Sequence, residues 1–246
     1  MSKPLLSHWL YTKSLKDINQ YFKNKAENNK ALAARKILID NYFSNNEIKK
    51  LQLGSGPFPM EGWLNTDLRH NQNTAWMNAA ETYPFTNESF DYIFTEHLFE
   101  HLTFEQESIM LQQSFRVLKK GGKIRIATPD LAFLIKLYNP STQIEKDYVN
   151  WSINRYYSLK PMKAAFEEKD FNKVFVINNF FSDWGHQIIH DFSSLELMLK
   201  KAGFASVSLQ KVGISSDPHL NGIEKHGNQI SDTYNLLETI VVEAIK

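Results

Sequence analysis

The stretch Leu51-Gln52-Leu53-Gly54-Ser55-Gly56, followed by Gly62-Trp63-Leu64-Asn65-Thr66-Asp67, decides how this chain is read. A short apolar run enters a tight glycine turn, and a second short run ends on an acid. Glycine tolerates positive φ and lets backbone approach a ligand closely. In open α/β sheets, ligands sit past the carboxyl ends of the strands, where the strand order reverses. A carboxylate at Asp67 can accept two hydrogen bonds from a ribose diol. The pattern G-x-G-x-x-G is not completed, since Met60 and Glu61 precede the next glycine, Gly62. Pro57 and Pro59 also disfavour a long crossover helix. A nicotinamide enzyme is therefore disfavoured. Taken alone, G-x-G is equally an ordinary strand-to-loop turn.

Outward from this turn the pattern alternates. Trp76-Met77-Asn78 reads as a weak third strand and Phe90 to Phe94 as a clear fourth. Thr103-Phe104-Glu105-Gln106 is a capping box. The helix behind it carries Leu111, Phe115 and Leu118, is closed by Lys119 and Lys120, and stops at Gly121-Gly122. Lys123 to Ala127 is a fifth strand. Residues 139–190 are long, aromatic and irregular, the profile of a substrate-facing insertion. A helix capped by Ser193-Ser194-Leu195-Glu196 and stopped at Gly203 follows, then strands at 207–212 and 239–245. Strands alternating with helices predict an α/β fold with a mostly parallel sheet. Residues 1–47 read as an N-terminal helical extension, with Ser14 as a cap and breaks at Asn28-Asn29 and Asn45-Asn46.

Composition narrows the function. The chain has 246 residues, 42% of them hydrophobic, enough for one large domain or one with an insertion. Absence of cysteine excludes disulfides, thiolate zinc sites and a cysteine nucleophile. A net charge of +1 gives no support for nucleic-acid binding. No run is long enough to span a bilayer, and Met1 to Ser14 lacks a signal-peptide pattern, so a cytoplasmic location is expected.

The stretch Thr95-Glu96-His97-Leu98-Phe99-Glu100-His101-Leu102 contains H-x-x-E-H, the inverted zinc-protease signature. Its place directly after a strand argues against a peptidase. If helical, positions 97, 100 and 101 share one face, and two imidazoles with a carboxylate can ligate a divalent cation. Asp183, His186 and His190 are candidates for a fourth ligand. The plainer alternative is that Glu100 orients loops and His101 packs.

Three segments together resemble the class I S-adenosylmethionine-dependent methyltransferases: LQLGSGPFPMEGWLNTDL (51–68), MNAAETYPFTNESFDYIFTEHLFEHL (77–102) and SFRVLKKGGKIRIATPDL (114–131). FFSDWGHQIIHDFSSLELMLKKAGF (180–204) and HLNGIEKHG (219–227) extend the likeness over residues 49–246, and within it to a bacterial subfamily linked to cell-surface glycan pathways. The resemblance implies a Rossmann-like sheet of seven strands, mostly parallel with an antiparallel last strand. It implies a methyltransferase domain over residues 48–246, with 139–190 inserted after the fifth strand. It places Gly54, Ser55 and Gly56 along the methionine and ribose of S-adenosylmethionine, Asp67 on the ribose hydroxyls, Asn78 with Ala79 at the adenine, and Glu96 and His97 beside the transferred methyl. Gln52 and Asn78 stand where the family has acids.

The implied reaction is O-methylation of a saccharide or glycan precursor, with another small molecule or a non-catalytic module of the same fold as alternatives. A protonated hydroxyl is a poor nucleophile, so a base or a metal is needed. His97 is the first candidate base and His186 the second. His97, Glu100 and His101 are the candidate metal ligands. Trp151, Tyr156, Tyr157, Phe180, Phe181 and Trp184 form either an acceptor platform or the insertion's own core, and the core is favoured. Asp130 is read as a helix cap. His219 and His226 fall in a long loop before the last strand, with no role assigned.

Overall fold

A computed structural model describes residues 15–69, 71–157 and 167–246. Seven strands form one sheet: β1 (Lys50–Leu53), β2 (Leu64–Asp67), β3 (Ala75–Trp76), β4 (Phe90–Glu96), β5 (Leu118–Pro129), β6 (Ser206–Gln210) and β7 (Thr239–Ile245). Their order is β3-β2-β1-β4-β5-β7-β6. The first five pair in parallel, and β7 runs antiparallel to both β5 and β6. Leu51, Leu53, Ile93 and Phe94 are fully buried in the central strands, as strands covered on both faces require. The order reverses between β1 and β4, so a crevice opens beyond their carboxyl ends. Register aligns its floor. Leu53 lies opposite Thr66 on one side and Thr95 on the other, so Gly54, Asp67 and Glu96 leave the sheet side by side.

Helix α1 (Leu15–Asn45) runs unbroken through Asn28-Asn29. The break expected there does not form, because asparagine costs only a fraction of a kcal/mol in a helix interior. Ser14 lies outside the described residues. The last turns of α1 dock on the sheet, where Leu38, Ile39, Tyr42 and Phe43 join the main core. Helix α2 (Phe104–Val117) has the predicted capping box at Thr103 and Gln106. It ends sooner than expected. Leu118 pairs with Phe90 across a bulge, and Lys119 forms an ion pair with Asp91 at 2.8 Å. The glycines serve that bulge: a Cβ on Gly122 would meet the Lys119 carbonyl at 2.9 Å and the Asp91 carbonyl at 3.0 Å.

The insertion is more helical than its irregular sequence suggests. Helix α3 (Leu131–Tyr138) leads into it, followed by α4 (Gln143–Ser152), a wider turn at Ile153–Tyr157, and α5 (Lys173–Ser182). Phe133, Leu137, Tyr148, Val176 and Phe180 make a second core there, separate from the sheet's. Helix α6 (Phe192–Ala202) ends at Gly203 as predicted, but its cap is Asp191 paired with Ser194. The Asp191 carboxylate accepts from the Ser194 amide at 2.9 Å, so Ser193 and Glu196 do not form the expected box. Helix α7 (Asp232–Glu238) enters β7. No described helix is long and apolar enough to cross a membrane.

Candidate active site

The glycine turn closes on the acid after β2. Gly54 and Gly56 have φ of 66° and 50°, a conformation that glycine adopts without penalty. Asp67 Oδ2 accepts from the Gly56 amide at 2.9 Å, and its Oδ1 accepts from the Arg69 amide at 2.7 Å. Leu98 covers the turn: a Cβ on Gly54 would meet its Cδ2 at 2.9 Å. Near the carboxyl ends of β1 and β4, Gln52 Oε1, Ser55 Oγ and Thr95 Oγ1 are buried and lack a partner. Buried polar atoms are almost always paired, and these three are exceptions. Asn78 Oδ1 accepts from the Ala80 amide at 3.0 Å, with Ala79 buried beside it.

Beyond β4 the chain does not enter an α-helix. His97 has a left-handed φ of 48°, and only Phe99–His101 form a short 3-10 turn. Residues 97, 100 and 101 therefore do not share one helical face. The metal-binding set expected from His97, Glu100 and His101 is split in two. His97 groups with His226 and Glu238, while Glu100 and His101 group with His186.

Glu100 is fully buried and links both groups. Its Oε1 lies 3.0 Å from His97 Nδ1, and its Oε2 accepts from the Thr128 hydroxyl at 2.9 Å. Burial pulls the His97 pKa down, but the Glu100 charge and hydrogen bond outweigh it and hold the imidazole above its ordinary value. Burial pushes Glu100 up, and His97 outweighs that, holding the carboxyl below the usual range.

A loop from the far side of the sheet completes the site. Glu96 accepts from the Lys225 amide at 2.8 Å and the His226 amide at 3.0 Å. Arg125, fully buried, grips Glu224 at 2.5 Å and Glu243 at 2.6 Å. Held this way, the His226 ring stacks on His97 with centroids 3.7 Å apart. Its Nε2 lies 3.2 Å from Glu238, whose other oxygen accepts from the Tyr148 hydroxyl. Burial, then the Glu238 charge, raises the Tyr148 pKa. His219 packs on Tyr92 instead.

These groups surround a cavity of about 340 Å³. His97, Glu100, His101, His186, His226 and Glu238 supply its polar wall, and Tyr148, Tyr156, Phe180 and Trp184 its aromatic one. His186 Nδ1 lies 2.8 Å from the Phe180 carbonyl, and burial lowers its pKa. The aromatic cluster thus divides. Trp151 packs against the insertion's core, Phe181 is exposed, and the Tyr157 side chain lies outside the described residues. Asp130 caps α3 by accepting from the Ala132 amide at 2.9 Å.

Residues 61–126 match the family model of a methyltransferase domain. That segment is similar to a methyltransferase domain. The matched segment runs from the glycine-rich crossover into β5, and the seven-stranded sheet around it has the Rossmann-like architecture of such domains. An uncharacterized protein of Methanocaldococcus jannaschii is 27% identical over 136 residues, which are 54% of this chain and 62% of that protein. Among solved structures, a SAM-dependent methyltransferase of Archaeoglobus fulgidus aligns with a TM-score of 0.46 and 16% identity, over 85% of this chain and 90% of its own. One from Thermotoga maritima aligns with a TM-score of 0.44 and 14% identity, over 94% and 99%.

The fold thus brings His97, Glu100, His101 and His186 to one cavity and keeps Gly54, Ser55, Gly56, Asp67, Asn78, Ala79 and Glu96 at the ends of the parallel strands and the turns after them. Sequence reading gave no role to His226 and passed over Glu238, Tyr148 and Arg155, all cavity-lining. The one available signal was His226-Gly227, closing the 219–227 segment.

Proposed function

We propose that the protein is an S-adenosylmethionine-dependent methyltransferase that methylates a hydroxyl oxygen of a saccharide or glycan precursor. One observation carries this reading. His97, on the wall of a cavity of imidazoles, carboxylates and aromatic rings, directly follows Glu96 at the end of β4, and β4 pairs with the strand that ends in the glycine turn.

The residues present fit the cofactor. Gln52 Oε1 is a free acceptor for its amino group, and the Ser55 and Thr95 hydroxyls are free as well. Nothing lies within 4 Å of the place a Cβ on Gly56 would take. Gly54, Ser55 and Gly56 would pass the methionine and ribose, Asp67 the ribose hydroxyls, and Asn78 with Ala79 the adenine. Glu96 belongs to this edge by position, while its carboxylate holds the 225–226 loop. When bound, the cofactor supplies a methyl group on a positively charged sulfur.

His97 receives the acceptor's proton. Glu100 accepts from Nδ1–H, which makes Nε2, 3.4 Å from the Thr239 hydroxyl, the base, the logic of a carboxylate-oriented imidazole. The raised pKa of His97 makes that nitrogen a stronger base. Trp184 and Tyr156 offer flat faces for a sugar ring, and the carboxylates accept from its hydroxyls. Holding the acceptor oxygen still contributes to rate by removing orientational freedom.

Incubation with methyl-tritiated S-adenosylmethionine and a panel of mono- and oligosaccharides tests the acceptor class. Label on a sugar hydroxyl is expected. Label found only on amines of a control panel would overturn it.

A further inference from the structure

We infer that Glu100, His101 and His186 bind one divalent first-row transition-metal ion, with coordination positions left open toward the cavity. The ion's purpose rests on the reading of that cavity as the acceptor site, but its place rests on geometry alone.

Each of the three residues offers a ligand atom, and these atoms lie within 4.8 Å of one another. The rings of His101 and His186 stand 4.8 Å apart and nearly perpendicular, at 78°. Such rings can direct two nitrogens at one point. His186 Nδ1 faces the Phe180 carbonyl at 2.8 Å, an acceptor only, so Nδ1 carries the proton and Nε2 keeps its lone pair. That is the outer-sphere hydrogen bond that ligating histidines commonly make. The Glu100 carboxylate is oriented on both oxygens, by His97 and by Thr128. No hydrogen bond reaches the His101 imidazole among the described residues.

The backbone places these ligands together. The Glu100 carbonyl accepts from the Gln187 amide at 2.7 Å. The chain arrives there through a left-handed turn at Trp184 and Gly185, with φ of 58° and 83°. The returning end of the insertion is thereby fastened to the turn that carries Glu100 and His101.

The other group is less suited. His97 and His226 are stacked at 29°, so their ring planes lie side by side and do not converge on one point. Two imidazoles and one carboxylate with open positions suit manganese, iron, cobalt or zinc better than magnesium or calcium. An open position would take the acceptor hydroxyl and lower its pKa beside His97.

The test is calorimetric titration of the chelator-treated, untagged chain with Mn²⁺, Co²⁺ and Zn²⁺. S-adenosylhomocysteine is titrated in parallel, so that loss of the cofactor reading is seen separately. One ion per chain is expected. His101→Ala and His186→Ala should each weaken it at least ~100-fold, the upper end of what outer-sphere losses cost. His226→Ala should bind the ion as the unmodified chain does. Co²⁺ should also give visible absorption bands in the unmodified chain, a readout independent of how the variants fold. Failure of the unmodified chain to take up any of the three ions would overturn the proposal. So would loss of the ion in His226→Ala with retention in His101→Ala and His186→Ala.

Discussion

The glycine-turn edge and the histidine-lined cavity adjoin each other but are built in opposite ways. The edge comes from short segments: β1 with its turn, β2 with Asp67, and the end of β4, aligned by parallel register. The cavity is assembled from β4's exit turn, the end of β5, the insertion, residues 226–230 and the end of α7. The edge leaves buried polar atoms unpaired, whereas the cavity's charged groups are largely paired with one another. The residues of the edge lie close together in sequence, whereas those of the cavity come from distant parts of the chain.

That contrast can be broken from the cavity side. His97→Ala should lower turnover by about 10²–10⁴, the usual contribution of a general base, while S-adenosylhomocysteine binding stays unchanged. Single-turnover methyl transfer and calorimetry, run on the same protein, check both halves. Arg125→Ala comes next. It leaves Glu224 and Glu243 as uncompensated carboxylates at a buried site, and breaking such a pair costs roughly 3–5 kcal/mol. Urea unfolding should register that loss, together with weakened protection of the 213–228 amides from hydrogen exchange. The smallest effect sharpens the comparison. Asp130→Ala removes the cap of α3 at the cavity's rim and should cost about 1 kcal/mol of stability without changing the affinity for S-adenosylhomocysteine.

What could be read from sequence follows the same division. The strand-turn-acid pattern at 51–67, the capping box at Thr103, the stop at Gly203 and the antiparallel last strand depend on neighbours in sequence or on the resemblance, and they stand in the fold. Errors arose where tertiary pairing overrides local preference. Lys119 looks like a helix C-terminus until Asp91 claims it in the sheet. Asp191 takes the cap role from Ser193 because its carboxylate reaches the Ser194 amide. The metal-ligand grouping failed for a similar reason. Helical spacing was assumed for His97, Glu100 and His101, but the left-handed φ at His97 turns its imidazole toward His226. Nothing near residue 97 in sequence announces a partner at 226 or 238.

The bend at Gly54 and the carboxylate of Asp67 are proposed as the seat of an adenosyl sulfonium cofactor. Titration of S-adenosylhomocysteine into the unmodified chain and into Gly54→Ala tests it most directly. A Cβ there would be strained at φ 66° and crowded by Leu98, at a conformational cost of roughly 1–2 kcal/mol. One molecule should bind per unmodified chain, and binding should weaken in Gly54→Ala. Absence of binding to the unmodified chain, or equal binding to both, would contradict it.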